Sequence, residues 1–190
     1  MANQALYYLV TGRNPGRHGN AHASIVPYQA FATRNGDITV AGGNDGQFQR
    51  MCAVLGEPML ADDPRYATNA GRVAHRGELI SVLQVLFAQW DQADILMALE
   101  AAGVPAGPIN TLEQVFADPQ VQHRGMAFTQ ESPVMGQVPG VRSPLLFSGA
   151  EVGAALPPPA LGAHTRAVLS ETLGLNDAAL ADLTARAVIS

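Results

Sequence analysis

The fold of this 190-residue chain is decided by the segment Ile38-Thr39-Val40-Ala41-Gly42-Gly43-Asn44-Asp45-Gly46-Gln47-Phe48. Its β-branched start predicts a strand that ends at two glycines, and a helical pattern follows at once. Glycines at such a junction let the backbone approach a ligand closely or adopt a positive φ. Asn44 at the N-cap and Gln47 one turn later also predict a capping box for the helix. The local pattern leaves a second interpretation open, in which the turn only caps the helix and binds no ligand.

The segments around this junction predict an α/β fold in which helices accompany short antiparallel strands. The turn at Asn35-Gly36 predicts a hairpin between residues 28–33 and 37–41. A buried helical face that ends at Gly56 is predicted by apolar residues at helical spacing: Phe48, Met51, Cys52 and Leu55. The remaining patterns predict helices at 3–10, 77–90, 95–102, 112–116, 121–124 and 163–173. They also predict a final helix that has its N-cap at Asp177 and ends at residue 187, and a pair of strands at 126–131 and 137–141.

Composition and charge exclude several classes of function. With a formal net charge of −5 and only 11 lysines and arginines, the chain has no basic patch for a nucleic-acid partner. No apolar run is long enough to span a bilayer, and no signal peptide follows Met1, so a cytoplasmic location without a membrane partner is expected. The single cysteine, Cys52, rules out an internal disulfide and suits a reducing compartment. Nothing basic is expected near Cys52, which should be a buried and unreactive thiol.

Motifs that run in a fixed order along nearly the whole chain carry more information than any one of them alone. They are Thr11-Gly12, Pro15-Gly16-Arg17-His18-Gly19-Asn20-Ala21-His22, Ile25-Val26-Pro27-Tyr28-Gln29-Ala30-Phe31, Asn35-Gly36-Asp37, Gly43-Asn44-Asp45-Gly46-Gln47-Phe48, Leu55-Gly56, Asp62-Asp63-Pro64-Arg65-Tyr66-Ala67-Thr68-Asn69, Arg72-Val73, Ala102-Gly103-Val104-Pro105-Ala106-Gly107-Pro108, Asp118-Pro119-Gln120 and Pro157-Pro158-Pro159-Ala160-Leu161-Gly162-Ala163-His164-Thr165. This ordered set resembles the family III CoA-transferases, the CaiB/BaiF group, which includes formyl-CoA transferase, carnitine CoA-transferase and α-methylacyl-CoA racemase.

The resemblance implies that the chain corresponds to the C-terminal half of such an enzyme, since family III members are roughly twice this length. Residues 1–23 then correspond to the end of a large-domain helix and a linker, and residues 24–130 to a small domain. Residues 131–190 correspond to a connector and to C-terminal helices that return to the large domain. Most of that large, Rossmann-like domain is expected to lie outside this chain.

The resemblance also places the catalytic nucleophile, an aspartate, upstream of this chain. No catalytic residue is assigned here, because Asp37, Asp45, Asp62 and Asp63 do not match the catalytic position. Paired carboxylates can share a proton and act as acid and base, but the adjacent Asp62 and Asp63 precede a proline in a turn and are expected to diverge.

By resemblance, the active-site loop consists of Gly42, Gly43, Asn44, Asp45 and Gly46. In the family, a glycine-rich loop at this place closes over the active site and shields an aspartyl-CoA thioester from water. Its amides could also stabilise an oxyanion. Asn44 and Asp45 stand where some relatives have further glycines, so the loop of this chain is expected to be stiffer. The resemblance implies coenzyme A as a substrate, in the form of an acyl-CoA, and no metal.

Arg17 is the candidate for binding CoA or a substrate, because a guanidinium offers two parallel donors to a phosphate or a carboxylate. The alternative is that residues 15–22 form an ordered linker whose polar groups cap the neighbouring backbone. His18 and His22 have the spacing of metal ligands on a helix, but Gly19-Asn20 disfavours a helix there, and no zinc site is expected.

Two groups of residues are expected at the surface. Arg72, His75 and Arg76 lie in a polar segment before a helix, which predicts a solvated face. Apolar side chains of the C-terminal helices are expected to lack the large domain on which they would pack: Leu169, Leu173, Leu180 and Leu183. A homodimer partner, or the N-terminal half of the same enzyme, is expected to cover them.

Three functions remain open. In the first, the chain is part of a transferase that moves CoA between an acyl-CoA and a carboxylic acid through anhydride and thioester intermediates on an aspartate outside this chain. In the second, it belongs to an isomerase like α-methylacyl-CoA racemase, although racemases tend to carry a glutamate-containing variant of the Gly43-Asn44-Asp45-Gly46-Gln47-Phe48 motif. In the third, it is a non-catalytic, truncated module. The sequence identifies neither the acyl donor nor the acceptor acid.

Overall fold

A computed structural model describes residues 2–150, 152–153 and 156–189 of the chain. The chain divides into two compact units, Met1–Asn110 and Thr111–Ser190, and each combines helices with short antiparallel strands. The α/β fold class predicted from the sequence is therefore confirmed. Within the described ranges, every helix falls short of the length and apolar character that crossing a lipid bilayer requires.

The elements of the two units follow one another in a simple order. The first unit contains α1 (Ala2–Thr11), β1 (Tyr28–Ala32), β2 (Asp37–Ala41), α2 (Asp45–Val54), α3 (Met59–Asp62), α4 (Asn69–Ala74), α5 (Arg76–Phe87), α6 (Gln92–Ala101) and β3 (Ala106–Ile109). The second unit contains α7 (Leu112–Ala117), α8 (Pro119–His123), β4 (Ala127–Ser132), β5 (Gly136–Val141), α9 (Thr165–Leu173) and α10 (Asp177–Ala185). The short helices α3 and α4 were not predicted.

The sheet of the first unit has the strand order β1-β2-β3. Strands β1 and β2 form the hairpin that Asn35-Gly36 predicts, with Tyr28 opposite Ala41 and Ala32 opposite Asp37. The third strand, β3, pairs antiparallel with β2 and was not predicted. Its sequence carries a glycine and a proline, and proline is tolerated in a strand mainly at the edge of a sheet, which is where β3 lies.

The core of the first unit lies between the sheet and helices α2, α5 and α6. The helical face predicted for α2 is confirmed, because the side chains of Phe48, Met51, Cys52 and Leu55 are all buried. The rings of Phe31 from β1 and Phe87 from α5 pack with their centroids 4.7 Å apart. This core fixes the start of α2, and with it the loop that joins α2 to the sheet.

Cys52 lies inside this core, where burial raises the pKa of its thiol to about 12. The neighbouring Arg72 acts in the opposite direction and lowers that pKa, so the expectation that nothing basic lies nearby was wrong. Desolvation of the thiolate is the larger effect and keeps the thiol protonated.

We expect the Cys52 thiol of the native chain to react with a disulfide reagent at about pH 8 roughly a thousandfold more slowly than the same thiol in the urea-unfolded chain. The reason is that a pKa about 3 units higher lowers the thiolate fraction at this pH by about a factor of a thousand. Stopped-flow absorbance of the released aromatic thiol measures both rates. A Ser81→Cys variant, which places a thiol on the exposed surface of α5, is the control and should react rapidly in the native state. A native rate for Cys52 within tenfold of the unfolded rate would contradict the burial described here.

The second unit contains a two-stranded sheet. Its strands β4 and β5 pair antiparallel, from Ala127 opposite Val141 to Ser132 opposite Gly136, as predicted. Helix α10 begins one residue earlier than predicted, because the side chain of Asn176, not Asp177, accepts a hydrogen bond from the Ala179 amide and forms the N-cap.

The expectation of four uncovered leucines in the C-terminal helices was wrong in part. Leu180 is only 2% exposed, and Leu169 and Leu183 are half-buried. Leu173 at the end of α9 is 64% exposed, as expected. Gly174 follows it with a φ of 67°, a left-handed conformation that ends the helix at little steric cost.

The boundary between the two compact units falls between Asn110 and Thr111. The division into residues 1–23, 24–130 and 131–190 rests on the family resemblance and stays a prediction. The first unit holds the whole Gly42–Gly46 segment together with every residue that contacts it through a described hydrogen bond.

Candidate functional site

The loop between β2 and α2 is anchored to the sheet at its first residue. The Gly42 amide donates to the carbonyl of Pro27 at 2.9 Å, and the Gly43 amide donates to the carbonyl of Ala41 at 2.9 Å. A Cβ on the buried Gly42 would lie 3.3 Å from the Pro27 ring, so this glycine permits close packing of two backbone segments. None of Gly42, Gly43 and Gly46 has a positive φ, so of the two uses of glycine expected here only close approach applies.

The second half of the loop is held by the predicted capping box. The Asn44 side-chain oxygen accepts from the Gln47 amide at 2.9 Å, and the Gln47 side-chain oxygen accepts from the Asn44 amide at 3.2 Å. This reciprocal pair satisfies two amides that the first turn of a helix otherwise leaves unpaired. Gly43 and Asn44 lie exposed between the Gly42 hydrogen bond and the capping box, and the expected stiffness of the loop stays a prediction.

Arg72 lies fully buried beneath this loop, so the prediction of a solvated face for this residue was wrong. Its guanidinium donates from Nε to the Val26 carbonyl at 2.6 Å and from Nη1 to the Tyr66 carbonyl at 2.9 Å. A buried charge is tolerated only when it is hydrogen-bonded and paired. Arg72 meets that requirement, because its third donor pairs with a carboxylate.

That carboxylate belongs to Asp45, the first residue of α2. Nη2 of Arg72 lies 2.8 Å from Oδ1 of Asp45, whose side chain is 49% exposed, while that of Arg72 is 0% exposed. The guanidinium also lies over the Phe48 ring, 4.5 Å from its centroid, in cation–π geometry. The Asp45 carboxylate is thus engaged in an ion pair at the start of a helix, where negative charge is favoured.

Arg76 is half-buried and organises the segment that leads into β1. Its Nη2 donates to the carbonyls of His22 and Ala23 at 2.9 and 2.8 Å. The His22 ring stacks on Tyr28, with centroids 5.4 Å apart and planes 10° apart. The prediction of a solvated face fails for Arg76 as well, because Nη2 binds the carbonyls of this turn and Nη1 is buried without a hydrogen-bond partner among the described residues.

An open cleft of about 460 Å³ lies beside this segment and is lined by Gln4, His18, Asn20, His22 and Tyr28, among others. Arg17 does not line the cleft, and its exposed guanidinium has no hydrogen bond or ion pair to any residue that the structure describes. The structure thus brings together the histidines and Tyr28, and it leaves the role of Arg17 in binding CoA or a substrate as a prediction.

The two histidines do not share a helical face, because residues 12–27 contain no helix. Within the described ranges, no group of three or more His, Cys, Asp or Glu side chains is placed to hold a metal ion.

The neighbouring carboxylates of Asp62 and Asp63 do not form a proton-sharing pair. Asp63 accepts hydrogen bonds from Arg65, at 2.8 Å from its Nη2, and this contact lowers the pKa of the Asp63 carboxyl below its usual value. Arg65 also pairs with Glu78 at 3.0 Å. Asp63 is therefore a charged member of a surface network, consistent with the expectation that the two carboxylates diverge.

Comparison with known proteins identifies the class to which this fold belongs. A crystal structure of a CAIB/BAIF family protein from Brucella suis has a TM-score of 0.73 to this structure at 45% sequence identity. The alignment covers 90% of this chain and 44% of that chain. The loop, the capping box and the buried arginine therefore belong to a chain with the CaiB/BaiF fold.

Sequence relatives define the family. Residues 1–165 match the model of CoA-transferase family III. A succinate–glutarate CoA-transferase from Agrobacterium fabrum is 46% identical over 90% of this chain, and a human succinyl-CoA:glutarate CoA-transferase is 40% identical over 100% of it. The chain belongs to CoA-transferase family III. It spans 43% of the length of each of these two relatives.

Arg72 is the residue of this site whose place the sequence pattern missed. A signal was present, since Arg72-Val73 is one of the ordered family motifs, and a short solvated helix gives no reason for such a motif. Asn69, on the same helix as Arg72, also binds the backbone before β1. Its side chain accepts a hydrogen bond from the Val26 amide at 3.1 Å and donates one to the Ser24 carbonyl at 2.8 Å. Helix α4 therefore serves to organise the backbone around Val26.

Proposed function

We propose that this chain is the C-terminal part of an enzyme that transfers CoA from an acyl-CoA to a carboxylic acid. The observation that carries the proposal is the 46% identity to a succinate–glutarate CoA-transferase over 90% of the chain. The nucleophile is an aspartate outside these 190 residues, supplied by the N-terminal half of the same enzyme. The chain alone is then inactive.

The proposed reaction retains the free energy of the thioester by forming anhydride and thioester intermediates on the enzyme. The aspartate attacks the acyl carbonyl to give a mixed anhydride and free CoA thiolate, and the thiolate then attacks the aspartyl carbonyl and releases the donor acid. The acceptor carboxylate attacks the aspartyl-CoA thioester and expels CoA thiolate to form a second anhydride. The thiolate then attacks the acceptor's acyl carbonyl in this anhydride, which gives the new acyl-CoA and regenerates the aspartate. Each intermediate is open to hydrolysis, so the site must exclude water while it persists.

The Gly42–Gly46 loop is proposed to cover that site. Its support lies in the geometry of the junction, because both ends are anchored while Gly43 and Asn44 are exposed. A short backbone segment of this kind can approach a thioester closely and present amides to a developing oxyanion. The Asp45 carboxylate is occupied by Arg72, which favours a nucleophile elsewhere.

The proposed substrates are short dicarboxylic acids and their CoA thioesters. Both relatives compared above are named for glutarate together with succinate or its CoA thioester. Within this class, one carboxylate reacts and the other is available for recognition by a cation such as Arg17.

The experiment joins this chain to the part of the Agrobacterium fabrum relative that precedes its matched region. Succinyl-CoA and glutarate are supplied, and CoA thioesters are followed by mass spectrometry. We expect glutaryl-CoA from the chimera and none from the 190-residue chain alone, while the intact relative serves as the positive control.

Two results would contradict the proposal. Glutaryl-CoA formed by the 190-residue chain alone would place a nucleophile within it. A folded chimera that transfers no CoA, but exchanges the α-proton of a 2-methylacyl-CoA for deuterium, would support the racemase-like alternative instead.

A further inference from the structure

Both ends of the Gly42–Gly46 loop converge on one side chain. At the first end, the Gly42 amide donates a 2.9 Å hydrogen bond to the Pro27 carbonyl. Nε of Arg72 donates to the carbonyl of the preceding residue, Val26, at 2.6 Å. The arginine therefore fixes the peptide segment from which the loop begins.

At the second end, Nη2 of Arg72 binds Asp45 at 2.8 Å, and Asp45 follows the capping residue Asn44 directly. Displacing Asp45 would tilt the first turn of α2 and disturb the reciprocal hydrogen bonds between Asn44 and Gln47. One guanidinium thus restrains the residues on both sides of the exposed Gly43-Asn44 peptide.

The arginine is itself held on several sides. Its Nη1 binds the Tyr66 carbonyl, its plane covers the Phe48 ring, and its side chain is 0% exposed. The helix that carries it is capped by Thr68, whose hydroxyl accepts from the Gly71 amide at 3.2 Å. Asp45 differs, since its side chain is 49% exposed.

We propose that Arg72 is a positioning residue for the Gly42–Gly46 loop, with Asp45 as the releasable half of the contact. This inference rests on the proposed function only in assigning the loop to the active site. Separation of Asp45 from the guanidinium would free the start of α2 together with Asn44, and it requires water to replace the carboxylate at Nη2 on the side where Asp45 is already exposed. Opening of the loop is thereby confined to its second end, because the first end is held by the hydrogen bond from the Gly42 amide to the Pro27 carbonyl.

The test uses hydrogen exchange of backbone amides in the 190-residue chain, followed by NMR. An Asp45→Ala variant is compared with an Asp45→Asn variant, which keeps a neutral acceptor, and with Asp94→Ala. Asp94 is the matched control, because it is an exposed acidic residue in the first turn of α6 with no ion pair to any described residue.

After correction for intrinsic exchange rates, Asp45→Ala is expected to raise exchange at Asn44, Gln47 and Phe48 about tenfold. Asp45→Asn should give a smaller rise, and Asp94→Ala should leave these amides unchanged. Amides that pair β1 with β2 should also keep their rates in all three variants. Unchanged exchange at the three amides, or an equal rise throughout the first unit, would overturn the positioning role.

Failure of the proposed function would be recognised separately, because the exchange measurement needs no catalysis. In a chimera that transfers CoA, Asp45→Ala is expected to raise thioester hydrolysis relative to transfer, and Asp45→Asn should restore part of the ratio. If Asp45→Ala raises amide exchange but leaves the ratio of hydrolysis to transfer unchanged, the positioning role is supported. The proposal that the loop keeps water out of the active site is then contradicted.

Discussion

Replacing Arg72 by methionine is expected to lower the free energy of unfolding of the 190-residue chain by about 3 kcal/mol. Methionine has similar length and can pack against Phe48, but it offers no donor to the carbonyls of Val26 and Tyr66. Those two oxygens would remain buried without partners, at a cost of about 1–3 kcal/mol each. The half-exposed carboxylate of Asp45 can regain water and adds little.

Urea denaturation monitored by circular dichroism measures this loss as a lower midpoint at an unchanged slope. Arg50→Met is the matched control, because Arg50 also donates to two carbonyls, those of Ala102 and Gly103, from an exposed position. We expect it to cost less than about 1 kcal/mol, since water can replace the lost donors. Equal losses for the two variants would contradict the energetic importance of burial at Arg72.

Replacing Gly71 by alanine is expected to destabilise the chain by about 2–3 kcal/mol. A Cβ at this position in α4 would lie 2.5 Å from the carbonyl oxygen of Arg65, which is backbone and cannot rotate away. Either α4 or the Arg65–Tyr66 turn must shift, and both carry contacts of Arg72. The same change at an open helical site usually stabilises, so the sign of the effect is informative.

Gly77→Ala provides that open site. Gly77 lies in α5 with nothing within 4 Å of its Cβ position, so alanine should stabilise the chain by up to about 1 kcal/mol through its better helix propensity. Denaturation midpoints of the two variants should move in opposite directions. A neutral Gly71→Ala would show that the approach of Arg65 to α4 is not a constraint on the fold.

Local chemistry made part of this structure predictable from sequence. Asn35-Gly36 located the hairpin turn to within one residue, since the Thr33 amide donates to the Gly36 carbonyl and places Arg34 and Asn35 at its tip. The spacing of Phe48, Met51 and Cys52 specifies one buried helical face. The capping box could be read from Asn44 and Gln47 because both partners lie within one turn of chain. Each of these features depends on residues close together in sequence.

The remaining features depend on contacts between distant segments. Arginine usually lies at the surface, and the burial of Arg72 depends on its hydrogen bond to the carbonyl of Val26, which is 46 residues away in sequence. Strand β3 forms although Gly107 and Pro108 oppose it, because β2 supplies an edge with unpaired hydrogen-bonding groups. Tertiary partners, which single-segment patterns do not contain, decide both cases.

The buried thiol of Cys52 makes the native chain convenient for site-specific labelling. It is the single cysteine of the sequence, and its raised pKa and burial protect it from alkylating dyes and spin labels. A cysteine introduced at an exposed position therefore takes the label alone, and no cysteine-free background has to be made first. A pair of introduced cysteines, one at the junction of β2 with α2 and one elsewhere in the first unit, gives fluorescence or electron-spin distances between the two positions in otherwise unaltered protein.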